Sequence, residues 1–270
     1  MLHSKNELPA SQTWLKKAAT LWFLTAVIGQ LAFAGFTAAY YVSRTLGGRF
    51  ASWNDKELID GFIPGDVAGN VMFIAHVLLA IVVSSGGLAQ LVPYLRKNAP
   101  AFHRWNGRVF FVISSFLAVG GLWLVWVRGT MLSVVGGVSV SLNGLFILCF
   151  VALAWRYARQ RDFLRHRRFA LRAFVVVSGV WFLRVGLMAW VLINQGPVGM
   201  NSTMSGPADI FLTFGSYLIP LAILELYFSG QKKGARPLIT WFAFAVIVVG
   251  ALITAVGSFG TVAFMFLPYI

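Results

Sequence analysis

Two basic side chains stand where a strongly apolar chain of 270 residues has least use for them. His76 lies in VMFIAHVLLAIVVSSGG and Arg184 in VVVSGVWFLRVGLMAWV. An ionisable group in such a run costs about 2.5–3.5 kcal/mol to place in hydrocarbon, so it normally faces a bundle interior and a partner. An imidazole there can ligate haem iron, hydrogen-bond a quinone or relay a proton. A guanidinium with no acid beside it turns to helix carbonyls, a neutral imidazole or an anion. Gln30 and Asn143, also in apolar runs, add amides that either glue helices together or line a cavity. His76, Arg184, Asn143 and Gln30 are therefore the candidate set for a bound cofactor or ligand, with no catalytic residue assigned.

A second constellation repeats. AFHRWNGRVFF at 101–111 and LRHRRFALRAF at 164–174 each give His-Arg and then another Arg as an apolar run begins. Helix N-termini favour anions, and guanidinium forks match phosphate or carboxylate. His103, Arg104, Arg108, His166, Arg167 and Arg172 thus form a candidate anion-binding rim, for which contact with anionic lipid headgroups is the plainer use. Arg172, about one turn into its run, is expected to meet Glu225 near the end of another as a structural ion pair.

What has to hold these residues is set by composition. Hydrophobic residues make up 59% of the chain and charged residues 11%, against roughly 25% charged in a soluble domain. Apolar runs fall near 18–42, 67–92, 109–127, 131–154, 169–193, 209–228 and 238–260. Each reaches the roughly 20 helical residues needed to cross about 30 Å of hydrocarbon. The expected fold is all-α, a polytopic transmembrane bundle of about seven spans forming one domain over 1–270. Counting 1.5 Å per residue from the span ends puts His76 and Arg184 at one depth, roughly 14 Å below the same surface. None of the spans shows a plain break in corresponding positions of two halves, which counts against a transporter.

The net charge of +14 is explained by where the basic residues sit. Sixteen Lys and Arg, Lys5, Lys232 and Lys233 among them, fall in alternate connections; the other side has only Arg44, Arg49, Lys56 and Arg128, with Asp55, Glu57, Asp60, Asp66 and Asp209. By the positive-inside rule the N-terminus is cytoplasmic, the protein belongs in the cytoplasmic (inner) membrane, and the charge signals topology and lipid contact, not nucleic acid. The lone Cys149 offers neither a disulfide framework nor a metal cluster, so no metal site is expected. There is no H-E-x-x-H, no Gly-rich Lys-Ser/Thr loop and no G-x-S-x-G.

His76, HRWNGR at 103–108, RDFLRHRRFALR at 161–172 and LIPLAILEL closing the sixth run resemble an uncharacterised family of bacterial multi-pass membrane proteins, the domain of unknown function 2306. The likeness covers roughly residues 70 to 228 and implies a membrane bundle without implying an activity. Three functions stay open: a redox protein holding haem b or a quinone at the interior polar site, a small-molecule or proton-coupled transporter, or a non-catalytic assembly or regulatory subunit of a membrane partner. The topology is checked by single cysteines. An impermeant maleimide added to intact cells is expected to label Ser202→Cys and to spare Gln160→Cys until the membrane is opened; the reverse pattern inverts the orientation.

Overall fold

Backbone in hydrocarbon must pair every N–H and C=O within the protein, and the residues described by the computed structural model, 9–56, 59–232 and 234–270, do so with helices and no strand. Lys5, Glu57 and Lys233, which enter the charge count above, lie outside the described residues. The long helices are α1 (Ala10–Leu46), α2 (Val67–Leu91), α3 (Pro100–Trp126), α4 (Val134–Arg159), α5 (Phe163–Val177), α6 (Gly179–Asn194), α7 (Pro207–Gly230) and α8 (Pro237–Tyr269), with a short turn of helix at Pro93–Asn98 between α2 and α3. Six are long and apolar enough to cross a membrane; α5 and α6, bent by 53° about Ser178, make a seventh span when taken together. The protein is thus an all-helical bundle of six or seven spans.

Two features differ from the sequence expectation. The fifth apolar run is not one straight helix but a broken pair. And at the arginine-rich end the helices overrun their apolar runs: α3 starts at Pro100, α4 continues to Arg159 and α5 starts at Phe163. A helix does not stop at the hydrocarbon edge, because its basic residues lay their stems on apolar surface and keep their charges in the headgroup zone.

Packing follows chain order on one side of the bundle, with α2 against α1 and α3, α3 against α4, and α4 against α5; α8 closes the other side against α1, α6 and α7. Small residues permit the close crossings, as expected where lipid supplies no hydrophobic drive between helices. A Cβ on Gly257 of α8 would collide with the Val185 carbonyl of α6. One on Gly29 of α1 would lie 2.6 Å from both Trp181 of α6 and Ser258 of α8.

The end opposite the arginine-rich one is capped by the connection from α1 to α2, described over 47–56 and 59–66. Its Phe50–Asn54 turn drops Trp53, 3% exposed, among Phe50, Phe62 and Phe73. Asn54 exchanges two 2.8 Å hydrogen bonds with the backbone of Phe62, and Asn70 does the same for Ile63 at 2.9 and 2.8 Å. Arg128, just past α3, ties the cap down: Nε donates to Asp66 at 2.8 Å, and Nη2 donates to Asn70 Oδ1 at 2.8 Å and to the Gly61 carbonyl at 3.1 Å. Asp66 also accepts the Gly69 N–H at 2.9 Å as the N-cap of α2. The Arg128 hydrogen bond, then the Gly69 N–H, hold the Asp66 carboxyl below its usual range. A depressed carboxyl stabilises the fold above its unfolded pKa of about 3.9 and ceases to do so as pH falls through the folded value. Thermal unfolding in detergent should therefore show Asp66→Asn melting below the parent at pH 7, with the gap closing toward pH 3.

Candidate functional site

The break in the fifth span is local in origin. Val175, Val176 and Val177 are β-branched and weaken the helix, and Ser178-Gly179 follows, the pair at which sharp kinks recur. Ser178 Oγ donates back to the Phe174 carbonyl at 2.8 Å, a bond that bends helices. Neighbouring helices then serve the junction. Gln30 of α1, 2% exposed, donates through Nε2 to Ser178 Oγ at 3.1 Å, and Asn143 of α4 donates through Nδ2 to the Val176 carbonyl at 3.1 Å. Gly179 leaves room for this, since a Cβ there would lie 3.0 Å from Asn143 Nδ2 and 3.4 Å from Tyr217.

Arg184 extends the same polar collar. Its Nη1 donates to the Val180 carbonyl one turn back at 2.9 Å, and its guanidinium lies 5.2 Å from the Phe33 ring of α1. No carboxylate pairs with it among the described residues. Asp209 on α7 is occupied otherwise, accepting the N–H groups of Asn201 and Gly206 at 2.9 and 3.1 Å to fold the 195–206 loop. Three of the four interior residues singled out in the sequence, Gln30, Asn143 and Arg184, thus attach to the backbone between Val176 and Val180 or to Ser178 itself.

His76 sits elsewhere. It lies seven residues from Gly69 and seven from Val83, both buried, and so on the inward stripe of α2. Its ring rests on the glycine pair of α3, where a Cβ at Gly121 would lie 3.3 Å from Cε1. Its Nδ1 is buried, with no hydrogen-bond partner among the described residues. Among the described residues no hydrogen bond joins His76 to Arg184. Tyr41 of α1 lies edge-on to Phe73 at 6.0 Å, one turn before His76 on α2.

At the arginine-rich end Arg172 grips Glu225 with both arms of its fork, 2.6 Å from Nε to Oε1 and 2.9 Å from Nη2 to Oε2, flanked by the rings of Phe169 and Phe228. Arg104, Arg108 and Arg167 are exposed, Arg108 lying over Trp105 at 4.7 Å. His166 Nδ1 is 2.9 Å from the Ala154 carbonyl; His103 lies within its electrostatic reach, with its own Nδ1 buried and unpartnered. Between them the sequence reading passed over Asn106, whose Nδ2 donates to the Gly86 carbonyl at 2.8 Å, and Gln90, whose Nε2 donates to the His103 carbonyl at 3.0 Å. These two amides lock α2 to α3, and Asn106 is the Asn of HRWNGR. It also passed over Lys56 and Arg128, visible in the sequence only as scarce cations on the acidic side.

With this geometry in hand, the family model described as a predicted membrane protein, DUF2306, matches residues 73–228. The chain belongs to that family. No curated protein and no solved structure matches it. The part shared with DUF2306 runs from Phe73 on α2 to Phe228 on α7, so it takes in His76, Asn143, the Ser178 break, Arg184 and the Arg172–Glu225 pair. Gln30 and α8 lie outside the DUF2306 match.

The contact between Gly179 and Asn143 is testable. Gly179→Ala should overpack the junction and lower stability by about 1–3 kcal/mol. Asn143→Ala in the same chain should recover part of that loss, read as non-additivity in a double-mutant cycle of unfolding.

Proposed function

We propose that the protein carries a small anion across the cytoplasmic membrane, using the broken fifth span as its binding element. The observation that supports this is the Arg184 guanidinium, which pairs with no carboxylate among the described residues and rests on a carbonyl of its own helix and the face of Phe33. Intramembrane ionisable residues mark pathways. A helix that restarts inside the membrane presents the positive end of its dipole there, as the half-helices of carriers do toward anionic substrates. Here α6 restarts at Gly179, and Arg184 reaches back toward that end. Gln30, Asn143 and Ser178 would steady the junction, and Asn143 Oδ1, buried without a partner among the described residues, is free to accept from water.

A second reading, a quinone hydrogen-bonded by His76, is favoured by the unpartnered imidazole nitrogen beside the Gly120-Gly121 surface. A haem b held by His76 and a second imidazole does not fit the described residues, because His103 and His166 lie at the arginine-rich end of the bundle, away from His76. Proteoliposomes decide between the readings. Uptake of labelled acetate or inorganic phosphate should appear with the parent protein, fall at least about tenfold in Arg184→Gln and persist in part in Arg184→Lys, as expected for loss of a charge-assisted hydrogen bond. No uptake, together with stoichiometric quinone in an organic extract of the purified protein, would replace the anion by the quinone.

A further inference from the structure

Lys56 occupies an unusual position for a residue in a connection. Its Nζ lies 4.4 Å from the centre of the Phe36 ring, 5.4 Å from Phe266, 5.2 Å from Tyr269 and 6.0 Å from Tyr40. The cage is made where α1 and α8 meet, at two stretches of π-helical turn, Ala38–Val42 and Thr261–Phe266. Its floor is the parallel stack of Phe36 on Phe266, 4.2 Å apart and tilted by 4°. Phe266 also packs on Phe33 at 6.2 Å, and Phe33 is the ring beneath Arg184. One aromatic cluster therefore carries two cations, one from the cap and one from α6. Of its two neighbouring carboxylates, Glu57 lies outside the described residues and Asp55 is directed to Arg44 at 3.8 Å. Desolvation first, and then the charge of Arg184, pull the Lys56 ammonium down to about 8. Two like charges on a shared apolar cluster repel, and an anion bound beside both would offset that repulsion.

We propose that Lys56 is the second cation of the interior site: the cargo is a compact anion, carboxylate or phosphate, held between Arg184 and Lys56, with Lys56 favouring the more highly charged of the two. This rests on the anion reading above and adds to it the cap residue that completes the seat. Aromatic cages give an ammonium a modest hold, so Lys56 can shift toward an arriving anion without leaving the cap.

The test measures binding of inorganic phosphate and of acetate to purified protein at constant ionic strength, by calorimetry, alongside thermal unfolding without either anion. In Lys56→Met phosphate should bind about tenfold more weakly and acetate less affected, Lys56→Arg should keep phosphate binding, and the anion-free protein should melt no lower than the parent. Lys56→Gln serves if the Met variant does not fold. Unchanged phosphate affinity in Lys56→Met or Lys56→Gln, with Arg184→Gln abolishing it, overturns the role of Lys56 and leaves the anion reading standing. A lower melting temperature with unchanged affinity assigns Lys56 to holding the cap alone. Binding of neither anion by the parent overturns the anion reading itself.

Discussion

Hydrocarbon offers no hydrogen bonds, so a helix that changes direction halfway through a membrane needs side chains from its neighbours at the turning point. That requirement organises the interior here. Gln30 and Asn143 come from helices distant in sequence and meet the fifth span within three residues of one another, at Val176 and Ser178. Their presence ties α1 and α4 to the same junction, so none of these helices shifts without disturbing the other two. Arg184 belongs to the same unit, because its guanidinium folds back along α6 toward the junction.

The close approach of α1, α6 and α8 makes that unit possible. With any side chain at Gly257 the carbonyl of Val185 could not sit where it does, and with one at Gly29 Trp181 and Ser258 would have to withdraw. The three helices would then stand further apart, and Phe33 would no longer lie under Arg184. Small residues on α1 and α8 thus set the surroundings of a charge on α6, a coupling between packing and electrostatics that no single helix contains.

The membrane class and the number of spans are legible in the sequence because the bilayer imposes one length and one charge rule on every crossing. Depth is legible for the same reason: counting residues brings Arg172 and Glu225 to one level, where they pair. Rotation about each helix axis is not legible this way. Height alone does not say that the ring of His76 turns onto Gly121 while the guanidinium of Arg184 turns onto Phe33. Nor do breakers speak for themselves: α7 runs unbroken through Pro220, whereas Val-Val-Val-Ser-Gly, innocuous in isolation, bends by 53°. What decides is whether partners such as Gln30 and Asn143 stand ready, which is a tertiary fact. Lys56 and Arg128 escape for a different reason, since irregular connections have no periodicity from which a contact can be read.

The paired π-helical turns carry a consequence for how this chain tolerates length change. Such a turn holds one residue more than an α-helix needs, and each residue advances the helix by about 100°. Deleting one residue between Ala38 and Val42 would restore regular winding at little local cost. It would also swing every later side chain of α1 around the axis, carrying Arg44 away from Asp55, which now lies 3.8 Å from it. The extra residue therefore works as a phase setting for the end of the helix, and a chain one residue shorter there would need a differently built cap.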